Sequence, residues 1–244
     1  MSLKEFRAAL RGAAYRDDVP EVIRLLAERP WPEQVLQLIG DALLVAVTSG
    51  SADAHDLART CIARLHARGW DGDADLAEAL AARLGDGPQP LLKPVRVDLE
   101  ELGSLREGDP IHGGGRVDLA TGQIWPQTLY EDFHADESDE EEEEEEDEAA
   151  GTRSLWVDPA GSRSDYRDME LFIATVEDEH LVELLSMALS GKGAFRRFKD
   201  AIARHPEAAD RWYALSEDRV RGRARAWLTS EGYTPHPGRT PSPR

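Results

Sequence analysis

Twelve of the thirteen residues from Asp136 to Glu148 are Asp or Glu, with Ser138 the exception. A folded core cannot accept such a run, because it has almost no apolar side chains to bury and its charges repel one another. It is expected to be a disordered surface insert spanning residues 131–153, with folded chain on either side. The run also biases the charge balance. The chain carries a net charge of −19, and without the run it carries −7. Between Lys192 and Arg225 the balance reverses, with ten Lys or Arg against five Asp or Glu. Overall acidity therefore does not exclude an anionic partner.

With 244 residues, 41% hydrophobic and 32% charged, the chain belongs to the globular class and supports one or two domains. Cys61 is the only cysteine, so an internal disulfide and a cysteine metal cluster are both excluded. The N-terminal residues lack the apolar run of a secretory signal, and no later stretch could span a bilayer as a helix. The expectation is a cytoplasmic protein without a membrane partner.

Residues 1–88 read as an all-α module of helical hairpins. Ser2 with Glu5 and Asp18 with Glu21 fit the helix-start pattern, in which the first side chain accepts from a free backbone N–H. Pro30 ends the second helix, and Pro32 stands where a third begins. Ala54, Leu57, Ala58, Cys61, Ile62 and Leu65 recur at three and four residues, which makes one apolar stripe, and Gly69 stops it. Leu76, Leu80 and Leu84 repeat the pattern. Three prolines and two glycines between Gly85 and Pro94 mark a linker, placed at 89–94.

Residues 95–230 read as an α+β domain, so the whole chain is α+β and predominantly helical. A short strand is expected at Val95–Val97, a hairpin at Val117–Trp125 and a third strand at Ser154–Val157, forming a small antiparallel sheet. A helical bundle follows. Met169, Phe172, Ile173 and Val176 share one face; Leu181, Leu184, Leu185 and Ala188 share another. Phe195, Phe198 and Ile202 fall in a narrow arc by the 100° step, which predicts core packing. Val220, Ala224, Trp227 and Leu228 give a final amphipathic helix, and residues 231–244 are expected to be a disordered tail.

The run Phe172–Ile202, with Gly191–Asp200 (GKGAFRRFKD) as its most specific piece, Trp212-Tyr213 and Ala226-Trp227-Leu228 resemble the uncharacterised protein family numbered 0158. The hairpin VDLATGQIW at Val117–Trp125 is similar to one upstream in that family. The resemblance covers roughly residues 95–228. It implies a shared α+β domain and carries over no chemistry. The N-terminal module and the length of the acidic insert depart from the family pattern.

No motif assigns a catalytic residue, a metal or a cofactor. The P-loop spacing is absent, since Ala194-Phe195 follow Gly191-Lys192-Gly193. Asp71-Gly72-Asp73-Ala74-Asp75 opens like a calcium loop, but Leu76 stands where Gly is needed and Ala82 where a bidentate Glu belongs. It reads better as a turn with acidic caps. The seven histidines show no metal spacing. Asp98, Asp118 and Asp168 are the first carboxylates to check in a fold-assembled site, against a plain reading as caps and turns.

The basic C-terminal helices give the candidate binding residues. Lys192 and Gly193 open a helix whose free N–H groups and dipole favour an anion. Arg196 and Arg197 lie off the apolar arc, and Arg221 and Arg225 are one turn apart. The plainer reading makes Gly191–Gly193 a helix corner and the arginines a solvated face. The leading expectation is a non-enzymatic binding or regulatory protein. Its N-terminal helices would meet a protein partner, and its basic face phosphate or nucleic acid. Enzyme activity is left open, with the sequence leaning against it. The alternative is an enzyme with carboxylates or Lys/Arg assembled by the fold, acting on a phosphate ester.

Overall fold

The computed structural model describes residues 1–28, 30–108, 113–127, 154–161 and 163–236. The acidic insert at 131–153 and the tail from residue 237 lie outside the described residues. The chain is predominantly helical. A helical N-terminal region is followed by small sheets and a helical bundle.

Helix α1 (Leu3–Tyr15) begins at the expected box: Ser2 Oγ accepts from the Glu5 N–H, and the Glu5 carboxylate accepts from the Ser2 N–H at 2.8 Å. Helix α2 (Val19–Ala27) starts the same way, from the Asp18 side chain. One 3₁₀ turn at Glu33–Val35 leads into α3 (Leu36–Val47), then α4 (Ala52–Arg68) and α5 (Asp73–Leu84). Helix α3 is apolar on nearly every side and is buried by α1, α2, α4 and α5, as such a helix must be. Gln37 and Asp41 are the polar residues within it.

The second half opens with β1 (Lys93–Val95), which starts inside the segment read as linker and ends where the strand was expected to begin. Helix α6 (Leu99–Arg106) follows, capped by Asp98. Strands β2 (Gly115–Asp118), β3 (Ile124–Pro126) and β4 (Ser154–Val157) form an antiparallel sheet in the order β3-β2-β4. Val117 stands opposite both Ile124 and Leu155. Then come α7 (Arg163–Ile173), α8 (Glu179–Leu189), α9 (Ala194–Ile202), α10 (Pro206–Ser230) and β5 (Tyr233–Pro235). Strand β5 falls where the tail was expected. It pairs in parallel with β1, Lys93 opposite Tyr233 and Val95 opposite Pro235.

Helix α10 organises the molecule. Its 25 residues extend about 37 Å at the helical rise. It contributes to three separate hydrophobic cores. Ala214 joins the core of α1–α5; Ala209, Trp212 and Leu215 join that of α7–α9; Ala224 and Leu228 join that of α6 and the sheets. In the second core the Phe172, Phe198 and Trp212 rings meet edge to face, with centroids 4.9–6.3 Å apart. Phe198 and Ile202 are fully buried, as the arc predicts.

A pair of glycines fixes how closely α10 approaches the N-terminal helices. A Cβ on Gly72 would lie 2.1 Å from the Gly222 carbonyl oxygen, and one on Gly222 would lie 2.2 Å from that of Asp71. The α4–α5 turn and α10 therefore touch backbone to backbone, a distance no other residue pair permits.

Candidate functional site

Helix α9 separates its two faces cleanly. Ala194, Phe198 and Ile202 recur every four residues and are buried. The cations lie elsewhere. The Arg196 side chain is 91% exposed, with Asp200 its nearest carboxylate at 3.9 Å. Arg197 is exposed and donates to the Ser190 carbonyl at the preceding helix end. Lys192 is exposed, between Gly191 and Gly193, whose φ values are +83° and +77°. Among the described residues, Lys192, Arg197, Lys199 and Arg204 have no carboxylate within 4 Å. Open space surrounds Gly193, so its backbone conformation rather than close packing calls for glycine there.

The structure brings Lys192, Gly193, Arg196 and Arg197 together at one end of α9 and places Arg221 and Arg225 apart from them. Arg221 and Arg225, both on α10, turn inward. Arg221 donates to Asp41 at 2.8 Å and also to Glu100. Arg225 is 1% exposed; its Nε donates to Gln37 Oε1 at 2.9 Å, and it pairs with Asp41. Burial opposes the charge on Arg221, but Asp41 and Glu100 outweigh it and hold its pKa above the ordinary value.

These contacts belong to a charge network between the N-terminal helices and α10. Arg68 donates to Asp73 at 2.6 and 2.9 Å and to Asp218 at 2.6 Å. Gln37 donates its backbone N–H to Asp218 and its side-chain amide to Asp73, both at 2.9 Å. Arg7 and Arg11 both reach Glu217, and Arg11 reaches Glu100. Burial lifts the Asp218 carboxyl to about 6 despite Arg68. Spacing arguments passed over Arg68, Gln37, Asp41 and Asp218, and read Asp73 as an acidic cap without its arginine. The available signal was Gln37 and Asp41, one turn apart in an otherwise apolar helix.

Two of the three carboxylates singled out in the sequence are caps and turns. Asp98 accepts from the Glu100 and Glu101 N–H groups, and Asp118 from those of Ala120 and Thr121. Asp168 differs. It is buried and accepts from Arg219 at 2.8 Å and Arg223 at 2.6 Å. Arg223 also meets Glu107 and, at 3.7 Å, Asp165. Burial lifts Glu107 to about 7, and burial likewise raises Asp165. Asp73, in the stretch that opens like a calcium loop, holds Arg68 and caps the turn through the Trp70 N–H. Among the described residues, no group of three or more His, Cys, Asp or Glu is arranged to hold a metal ion. No helix among them is long and apolar enough to cross a membrane.

A family model described as "Uncharacterised protein family (UPF0158)" matches residues 116–237. A UPF0158 protein of Pseudomonas aeruginosa is 24% identical to the chain over 151 residues, which cover 62% of this chain and 93% of that protein. No solved structure matches. The match takes in the hairpin and α7 to α10, on which the resemblance rests, and extends to β5, and the chain belongs to the UPF0158 family.

Proposed function

We propose that the protein is a non-enzymatic binding or regulatory protein whose α9 end contacts the phosphate backbone of nucleic acid. One observation carries this reading. Among the described residues, the cations at 192–204 face solvent without carboxylate partners, apart from the distant Arg196–Asp200 pair, while the arginines of α10 from Arg219 to Arg225 all meet carboxylates. A chain with an excess of acid leaves Lys192, Arg197, Lys199 and Arg204 clustered around one short helix without a carboxylate within 4 Å among the described residues. Lys and Arg that replace condensed counterions gain affinity for a polyanion in a salt-dependent way. Lys192, Arg196 and Arg197 would supply the charge and Gly193 the open backbone. Arg221 and Arg225 belong to the fold in this reading.

The test is fluorescence anisotropy with single- and double-stranded oligonucleotides at rising salt. Three phosphate contacts would give a slope of log K against log salt of roughly −2 to −3. Lys192→Glu with Arg196→Glu and Arg197→Glu should abolish binding without changing the melt. Deletion of residues 136–148 should tighten binding at low salt, because it removes twelve competing carboxylates. Should both the whole protein and the deletion ignore DNA and RNA at low salt, the nucleic-acid reading fails.

In the same proposal the protein is cytoplasmic and the helices of residues 1–88 form a module for a protein partner. Expression of 1–88 alone tests the module, which should give a cooperative melt. The second reading, an enzyme acting on a phosphate ester, draws on Glu107, raised toward neutrality beside Asp165 and Arg223. Glu107→Gln would then remove phosphate-ester hydrolysis. Equal rates for the variant and the parent would end that reading.

A further inference from the structure

A cleft of about 260 Å³ opens where the N-terminal helices meet the second half of the chain. Its apolar side is Ala14 of α1, Leu38, Ala42 and Val45 of α3, and Leu99 of α6. Its polar side is Arg11, Asp41, Asp98, Glu100, Arg221 and His236. With Arg225, which pairs with Asp41 from outside the lining, three arginines meet three carboxylates, so the charges balance and favour neither a purely cationic nor a purely anionic ligand. Ion pairing leaves hydrogen-bonding capacity over on both signs. Arg11 Nε is buried without an acceptor, although the Arg11 Nη2 reaches Glu100 and Glu217. Among the described residues, the second carboxylate oxygen of Glu100 and that of Asp98 accept no hydrogen bond. A buried N–H without a partner is costly, and an acceptor that satisfies it binds favourably.

Size narrows the ligand further. A cavity of about 150 Å³ holds benzene, so this one suits roughly ten non-hydrogen atoms. We propose that the cleft binds a small zwitterion with an aliphatic body, of the size and chemistry of leucine. Its carboxylate accepts from Arg11 Nε, its ammonium donates to Glu100 or Asp98, and its side chain lies against Leu38, Ala42 and Val45. The site is independent of α9, so either proposal can fail without the other.

The experiment is isothermal titration calorimetry of the whole protein with L-leucine, isoamylamine, 4-methylpentanoate and glycine. Leucine should bind saturably. The two single-charge analogues, and glycine without the aliphatic body, should each bind at least about tenfold more weakly. Ala14→Leu and Val45→Phe fill the cleft and leave its charges in place. Each should melt within a few degrees of the parent and bind leucine at least about tenfold more weakly. If one variant fails to fold, the other decides. Three results would overturn the proposal: no saturable heat with leucine up to about 10 mM, unchanged leucine affinity in a folded filled variant, or equal affinity for either single-charge analogue.

Discussion

Helices α9 and α10 are neighbours in the chain and both carry arginines, but those arginines meet opposite surroundings. On α9 the Arg196 side chain is 91% exposed, and Asp200 is a weak neighbour at 3.9 Å. On α10 Arg219, Arg221, Arg223 and Arg225 all meet carboxylates, and Arg225 is 1% exposed. The cause lies in what faces each helix. Helix α10 passes between α3, the α4–α5 turn, α6 and α7, which present Asp41, Asp71, Glu100, Glu107 and Asp168. Helix α9 covers a core on one side only. The same side chain is thus a fastener in one helix and an open cation in the next. Buried pairs of this kind add little net stability over apolar packing. They do make a misplaced partner expensive, and so fix the docking of α10.

The largest effect should come from breaking that docking. Arg225→Ala leaves Gln37 Oε1 without its donor and Asp41 with Arg221 alone, empties a fully buried site, and should cost about 3–5 kcal/mol in urea melts. A loss under about 1 kcal/mol would mean that solvent reaches the network, and the contrast with α9 would collapse. Phe198→Ala tests the apolar side of α9 and should also cost about 3–5 kcal/mol, with the edge-to-face contact to Trp212 lost.

A smaller effect depends on pH. Burial raises the folded-state pKa of Glu107 to about 7. A carboxyl raised in the folded state adds stability below its unfolded pKa, and that stability is lost as pH rises through the folded value. Glu107→Gln, which mimics the protonated form, should match the parent below about pH 4. At about pH 8 it should be more stable by about 1–2 kcal/mol, after allowance for partial exposure. Melting curves across that range check the sign, and a variant less stable at pH 8 would show that the Arg223 pair outweighs burial. The smallest change should follow Arg196→Ala, within about 0.5 kcal/mol of the parent. A larger loss would turn the open cation into another fastener.

Much of the fold was legible because it is local. The Ser2 box, the Asp18 cap, the α4 stripe and the arc of Phe198 and Ile202 all lie within a turn or two of chain. The exposed end of α9 was legible on the same ground. Arg221 and Arg225 were not, because their partner Asp41 lies 180 and 184 residues away. Spacing on one helix cannot show which carboxylate waits opposite. Strand β5 was missed for a related reason. Tyr233–Pro235 is too short to carry an alternating pattern, and its pairing with β1 is the contact that makes it a strand.

The three cores that share α10 bear on how the chain is made. A ribosome delivers α3 long before the helix that completes its polar contacts: Gln37 waits 188 residues for Arg225, and Arg68 waits 150 for Asp218. Until then the nascent N-terminal helices hold the Asp41 carboxylate and the Gln37 backbone N–H without their α10 partners, while Asp73 already meets Arg68, Gln37 and Trp70. Vectorial folding, which favours whatever emerges early, is here deferred to a late segment. Pauses in translation between α5 and α10 should therefore lengthen the exposure of these unpaired groups to chaperones, even where the helices of residues 1–88 have already packed.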